Sequence, residues 1–272
     1  MPLLEPIASA VAAGVDQAAG LRRLFGAHKA RAVAFVSGRE ARGRTALLAR
    51  TATALAEAGQ GVVIIDETAD ADSVHAALGI KVHARHDLLA LVQGDASIEQ
   101  LVQPVAPFLS LISAARLAAA PLPTNTVAAE RLNAALRQLQ GGCTFILVNC
   151  VARHDSHLSP LAMIMPHLVV VVAAQGSAIT RGYALIKRLS QTCGRQRFQV
   201  AITQARTEQE AQRIFHNMRD TARAHLNVAL DYLGSTRLDS EGFGRDHLAN
   251  ALHSHLIPSR DHDGELELRP CS

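Results

Sequence analysis

From residue 31 onward, short apolar runs alternate with longer stretches in which apolar residues recur every three or four positions. RAVAFVS (31–37) reads as a strand that stops at Gly38. The next segment, TALLARTATALAEAG (45–59), has the apolar spacing of a helix, and Gly59 marks its end. Further strand candidates are GVVIIDE (61–67), FLSLISA (108–114), TFILVNC (144–150), HLVVVVAA (167–174), FQVAITQ (198–204) and LDYLGS (230–235). Helical patterns over 127–140, 177–193 and 207–226 lie between most of them. Runs that are apolar on both faces suit central parallel strands. Strand–helix alternation therefore predicts an α/β fold: a doubly wound, mostly parallel sheet in three layers. Ligands in such folds sit at the carboxyl ends of the strands. That rule brings the 38–45 loop together with the residues after Ile65 and Val148.

The pattern is absent from the first thirty residues, which read as an arm, and from SRDHDGELELRPCS (259–272), which reads as a loose tail. The organisation expected is an arm (1–30), one α/β domain (31–258) and a flexible tail (259–272). A length of 272 residues and a hydrophobic fraction of 49% are ample for one such core. With no Trp, core volume must come from Leu, Val, Ile and Ala. A net charge of +3 is too small to argue for nucleic acid. Arg22, Arg23, Lys29, Arg31, Arg39, Arg42, Arg44 and Arg50 do cluster, however, and either a solvated basic face or an anionic partner accounts for them.

The four cysteines show no C-x-x-C and no scaffold spacing, which suits reduced thiols in a cytoplasmic protein. The N-terminus lacks a basic segment before its apolar residues and carries Glu5 and Asp16, so it is a poor signal peptide. The run at 167–174 is too short to span a bilayer. Leu248, Leu252 and Leu256 form an apolar stripe over 244–258 that suits the last helix of the domain better than a membrane anchor, because its polar face is His-rich and the tail beyond is acidic. Histidines three apart at 83–86 and 154–157 have no third ligand at metal spacing, which favours surface histidines.

The chemistry concentrates in FVSGREARGRT (35–45). Gly38 and Gly43 are five apart and Thr45 follows, the frame of a phosphate-binding P-loop, G-x-x-x-x-G-K-S/T, with Arg44 at the lysine position. Such a loop works because its glycines let the backbone approach phosphate while inward N–H groups and a compact lysine charge hold it. Arg39, Glu40 and Arg42 stand inside the loop. A Cβ in a left-handed conformation there costs about 1–2 kcal/mol. The carboxylate of Glu40, if turned inward, would repel phosphate. Arg44 keeps the lysine's charge but replaces a point ammonium with a planar fork.

Taken together, these segments resemble the MinD/ParA family of deviant Walker ATPases, and within it the flagellar-number regulators of the FlhG (FleN) type. The likeness covers nearly the whole chain. Its most specific piece is DQAAGLRRL (16–24), similar to the D-Q-A-x-x-L-R motif by which such proteins engage the signal-recognition-type GTPase FlhF. A second piece is TEQEAQRIFHNMRDTARAHLNVALDYLGSTRLD (207–239), and a third is GYALIKRL (182–189). As a helix, 16–24 would put Ala18, Leu21 and Leu24 on one face, able to dock in a partner groove or to pack on its own domain.

The resemblance implies a P-loop NTPase fold and a partner contact with FlhF through Asp16, Gln17, Ala18, Leu21 and Arg22. It implies that the arm promotes hydrolysis by the GTPase. Flagellar switch or transcription components are further partners of this type, and recruitment from the cytoplasm to the cell pole or flagellar base would follow. It also implies Mg-ATP, held by Gly38, Arg39, Gly43, Arg44, Thr45 and Asp66, with Thr45 as the magnesium ligand. Against the family's K-G-G-x-G-K-S/T, Arg39 replaces the first lysine, Glu40 and Ala41 the two glycines, and Arg44 the second lysine; Gly43 and Thr45 match. The family's D-x-D retains Asp66 but has Thr68 for its second acid. Asn149 stands for the later magnesium-linked Asp, and Thr203 for the adenine-contacting Asn. Amides and hydroxyls supply neither anionic metal ligation nor a general base. The expectation is a pseudo-ATPase with no assigned catalytic residue. Two rival readings are an ATPase that switches between monomer and homodimer on ATP, and a ParA-like DNA-binding protein.

Overall fold

The computed structural model describes residues 30–38, 43–81, 87–120, 126–152 and 158–237. Eight strands form one sheet: β1 (Arg31–Ser37), β2 (Val62–Asp66), β3 (Gln103–Ala106), β4 (Leu109–Ser113), β5 (Phe145–Val151), β6 (His167–Ala173), β7 (Arg197–Ala205) and β8 (Ala229–Arg237). Their order across the sheet is β3-β4-β2-β5-β1-β6-β7-β8, parallel throughout except for β3, which runs antiparallel to β4. Each of the seven strand candidates is a strand, and the α/β expectation holds. The fold is a three-layer α/β arrangement around a mostly parallel sheet.

The helices are α1 (Arg44–Glu57), α2 (Val74–Leu78), α3 (Leu88–Gln93), α4 (Ile98–Leu101), α5 (Ala115–Ala119), α6 (Thr126–Gly142), α7 (Pro160–Ile164), α8 (Gly176–Cys193) and α9 (Glu208–Leu226). Strand alternation divides the core into two layers. Ala34, Val36, Ile65, Val148, Val170 and Ile202 face a layer built from α3, α4, α6, α7, α8 and α9. Val33, Phe35, Ile64, Leu147 and Val171 face the other layer, with Leu48 and Leu55 of α1 and Val74 of α2. Gly182 shows how close the first layer packs: a Cβ there would lie 2.6 Å from Cγ2 of Val172, so α8 can lie against β6 only with glycine at that point.

The sequence reading did not anticipate β3, the short helices α2 to α5, or α7. Side-chain caps start several of them. Ser73 Oγ accepts from Ala76 N–H on α2 and Ser159 Oγ from Ala162 N–H on α7. Buried Asp87 accepts from Leu89 on α3 and from Arg116 and Leu117 on α5. Pro104 in β3 discourages a strand assignment from sequence, and proline fits there because β3 is the edge strand.

Candidate functional site

The site forms where β1, β2 and β5 end. Register makes Asp66 the cross-strand partner of Asn149, and β1 leads through Ser37 and Gly38 toward α1. The intervening loop residues 39–42, including Arg39, lie outside the described residues. Gly43 is the N-cap of α1, with φ of 91° and no side-chain cap bond. A Cβ on Gly43 would be strained by that φ and would meet Cβ of Thr203 at 3.3 Å. Buried Thr203 thus closes the site from β7, where the next residue, Gln204, also adopts a left-handed backbone at φ 58°.

Arg44 turns inward and is 5% exposed. Its Nε donates to Asn149 Oδ1 at 2.7 Å, one Nη donates to Ser37 Oγ at 2.7 Å, and the other lies 3.4 Å from Thr45 Oγ1. Asn149 Nδ2 faces Asp66 Oδ1 at 2.9 Å, Thr68 Oγ1 at 3.0 Å and Thr45 Oγ1 at 3.2 Å. The orientation of this amide follows from its neighbours, since arginine only donates and a carboxylate only accepts. Asp66 Oδ1 also receives the N–H of Thr68 at 3.1 Å, and Oδ2 receives the N–H of Val74 at 2.6 Å. The hydroxyl of Thr68 lies 2.7 Å from Asp66 Oδ1 and 2.9 Å from the carbonyl of Asp72, with one hydrogen to serve either. Thr45 Oγ1 donates to that same carbonyl at 2.8 Å.

The electrostatics follow from this closure. Burial lowers the pKa of Arg44 from its ordinary value, and the carboxylates of Asp66, Asp72 and Glu67 oppose that effect. The guanidinium stays charged, so Arg44 and Asp66 form a buried cation and anion joined through the neutral amide of Asn149. An aspartate at 149 would instead set a second carboxylate against Asp66. Behind the cluster, Ser159 Oγ donates to Glu67 Oε1 at 2.5 Å. Burial, followed by the charge of Glu67, pushes the Cys150 thiol well up, which keeps it protonated.

The structure therefore brings together Gly38, Gly43, Arg44, Thr45, Asp66, Thr68, Asn149 and Thr203 at one end of the sheet. Ser37 and the carbonyl of Asp72 belong to the same cluster and escaped sequence reasoning. A hydroxyl at the last position of a buried strand hinted at Ser37, whereas nothing local marks Asp72. Magnesium-nucleotide does not fit this donor set as it stands. Thr45 and Asp66 are bonded to protein donors, and Asn149 presents N–H groups where a metal needs oxygen. Among the described residues no three His, Cys, Asp or Glu side chains converge as a metal site. No described helix is long and apolar enough to cross a membrane. The expected partner residues Asp16, Gln17, Ala18, Leu21 and Arg22, the histidine pairs and the 244–258 stripe all lie outside the described residues.

No family model matches the chain. It is 22% identical over 214 residues to the antiactivator FleN of Pseudomonas aeruginosa, spanning 79% of this chain and 76% of FleN. The MinD cell division protein of Aquifex aeolicus superposes with a TM-score of 0.63 at 18% identity, over 85% of this chain and 98% of MinD. A putative plasmid partition protein of Borrelia burgdorferi, solved bound to AMPPNP, gives 0.61 at 14% identity, over 84% and 99%.

Proposed function

We infer that this chain, a MinD/ParA-family protein similar in sequence to the antiactivator FleN, is a regulator that works by holding protein partners without turning over ATP. The observation that carries this reading is the closure of the Arg44 cluster. The arginine at the P-loop lysine position spends its fork on Asn149 and Ser37, and the acid at the end of β2 is bonded to Thr68, Asn149 and Val74. Opening such a cluster for a nucleotide would leave a buried charge without its partners, which costs several kcal/mol. The domain then serves as a scaffold of fixed shape.

The process we assign to it is control of flagellar number or placement. The arm (1–30) docks on FlhF through Asp16, Gln17, Ala18, Leu21 and Arg22 and promotes GTP hydrolysis there, while the α/β domain (31–258) engages flagellar switch or transcription components. Two measurements test this. Calorimetric titration with Mg-ATP should give no binding heat, and micromolar binding lost in Arg44→Ala would instead favour the ATP-switched reading. The GTPase rate of FlhF should rise with the full chain and with a peptide of residues 1–26, and Leu21→Ala should abolish the rise. An unchanged rate would sink the FlhF assignment.

A further inference from the structure

Alternation along β6, β7 and β8 sends their side chains to two layers, and the described helices cover only one of them. On that face Val170, Val172, Val200, Ile202 and Leu230 meet α8 and α9. On the other face Val169, Val171, Ala201 and Leu233 join the layer of α1 and α2. Yet α1 packs on β1, β2, β4 and β5, and α2 packs on α1. Even so, Val169, Val171, Ala201 and Leu233 are 3% exposed or less. A bare sheet face would leave them open to water, so this half of the face needs a cover that the described residues do not supply.

The face also sets a polar demand. Gln199 on β7 alternates with Ala201 and so points to the same side, between Val169 of β6 and Asp231 of β8. It is 7% exposed, and its Oε1 is buried with no hydrogen-bond partner among the described residues. A buried acceptor in that state is costly until a donor reaches it. The cover must therefore be apolar along one stripe and carry a donor beside it. The segment 244–258 has both. As a helix it would align Leu248, Leu252 and Leu256, with Arg245 and His255 three positions from Leu248 and Leu252 as donors on the same face. Its reach fits too: a helix of that length spans about 22 Å, close to a strand of about seven residues. Continuity favours it further, because β8 is the last strand in the chain and the edge of the sheet, and residues 238–243 lead from it to the segment. The arm (1–30) instead enters at β1, whose face α1 already covers.

We propose that the face of β6, β7 and β8 opposite α8 and α9 is a docking surface for this chain's own residues 244–258. Leu248, Leu252 and Leu256 lie as an amphipathic helix on Val169, Val171, Ala201 and Leu233, and Arg245 or His255 donates to Gln199 Oε1. The stripe is thereby spent within the domain and not on a lipid surface, and the arm keeps its own apolar face for a partner. The inference depends neither on the FlhF reading nor on whether the P-loop takes ATP.

The test is hydrogen-exchange mass spectrometry on the full chain. Without lipid, and independently of protein concentration, amides in 244–258 should exchange at least about a hundredfold more slowly than in an unfolded peptide. Leu233→Ala should speed that exchange about tenfold more than Leu230→Ala, a matched deletion on the opposite face. Val171→Ala takes its place if Leu233→Ala does not fold. Unprotected amides in 244–258 overturn the proposal. So does protection that appears only with phosphatidylglycerol vesicles, which would make the segment a membrane anchor, or only as the chain dimerises, which would make the face a contact between copies. Equal effects of Leu233→Ala and Leu230→Ala overturn it as well, as does protection of residues 1–30 in place of 244–258.

Discussion

The Arg44 cluster and the pocket lined by His75 both meet the same five-residue helix, yet they treat polar groups in opposite ways. Around Arg44 each nitrogen of the guanidinium has an acceptor, and the amide of Asn149 joins cation to anion. His75, on the same short helix, instead lines an open pocket of about 410 Å³. The first arrangement is what a polar group needs to be part of the core; the second leaves its polar groups to solvent. The residues that resemble a nucleotide site are thus the ones built into the framework.

Substitutions sharpen this contrast. Asp66→Ala should have the largest effect, about 3–5 kcal/mol lost in urea unfolding at pH 7, because it removes the buried anion joined to Arg44 through Asn149 and frees the N–H groups of Val74 and Thr68. Asn149→Asp comes next, at about 1–3 kcal/mol, since it replaces the donor facing Asp66 with a second carboxylate. Excess magnesium should recover part of that loss in the variant while leaving the melting temperature of the natural protein unchanged. A natural protein that magnesium stabilises would contradict the closed cluster. Gly43→Ala should cost about 1–2 kcal/mol from its left-handed φ, with the nearby Thr203 adding to it. His75→Leu should cost about 1 kcal/mol or less, because no hydrogen bond is lost. A loss as large as that of Asp66→Ala would show that His75 belongs to the framework after all.

Most of the sheet was legible because its signal is local. HLVVVVAA can hardly be anything but a buried strand, and the glycine frame of 38–45 fixes where β1 gives way to α1. Weak elements were missed for an equally physical reason. The segments over 74–78 and 98–101 are too short to show a helical period, and they are held by caps such as Ser73 and Ser97 and by tertiary packing. The site was half legible. The departures at Arg44, Thr68 and Asn149 could be read one by one, but their mutual compensation could not. Asn149 lies 105 positions from Arg44 and 83 from Asp66, and neither separation leaves a trace in a local pattern.

By itself, the sequence determined the alternation of strands and helices and the place of the P-loop frame, because hydrophobic periodicity and glycine spacing are properties of neighbouring residues. Only the tertiary structure decided that Arg44 points inward, that Asn149 mediates between it and Asp66, and that α2 is tied to Asp66 through Val74. Those outcomes depend on which buried donors meet which acceptors across parallel strands. That is settled when the sheet assembles and its burial makes each unpaired polar group costly.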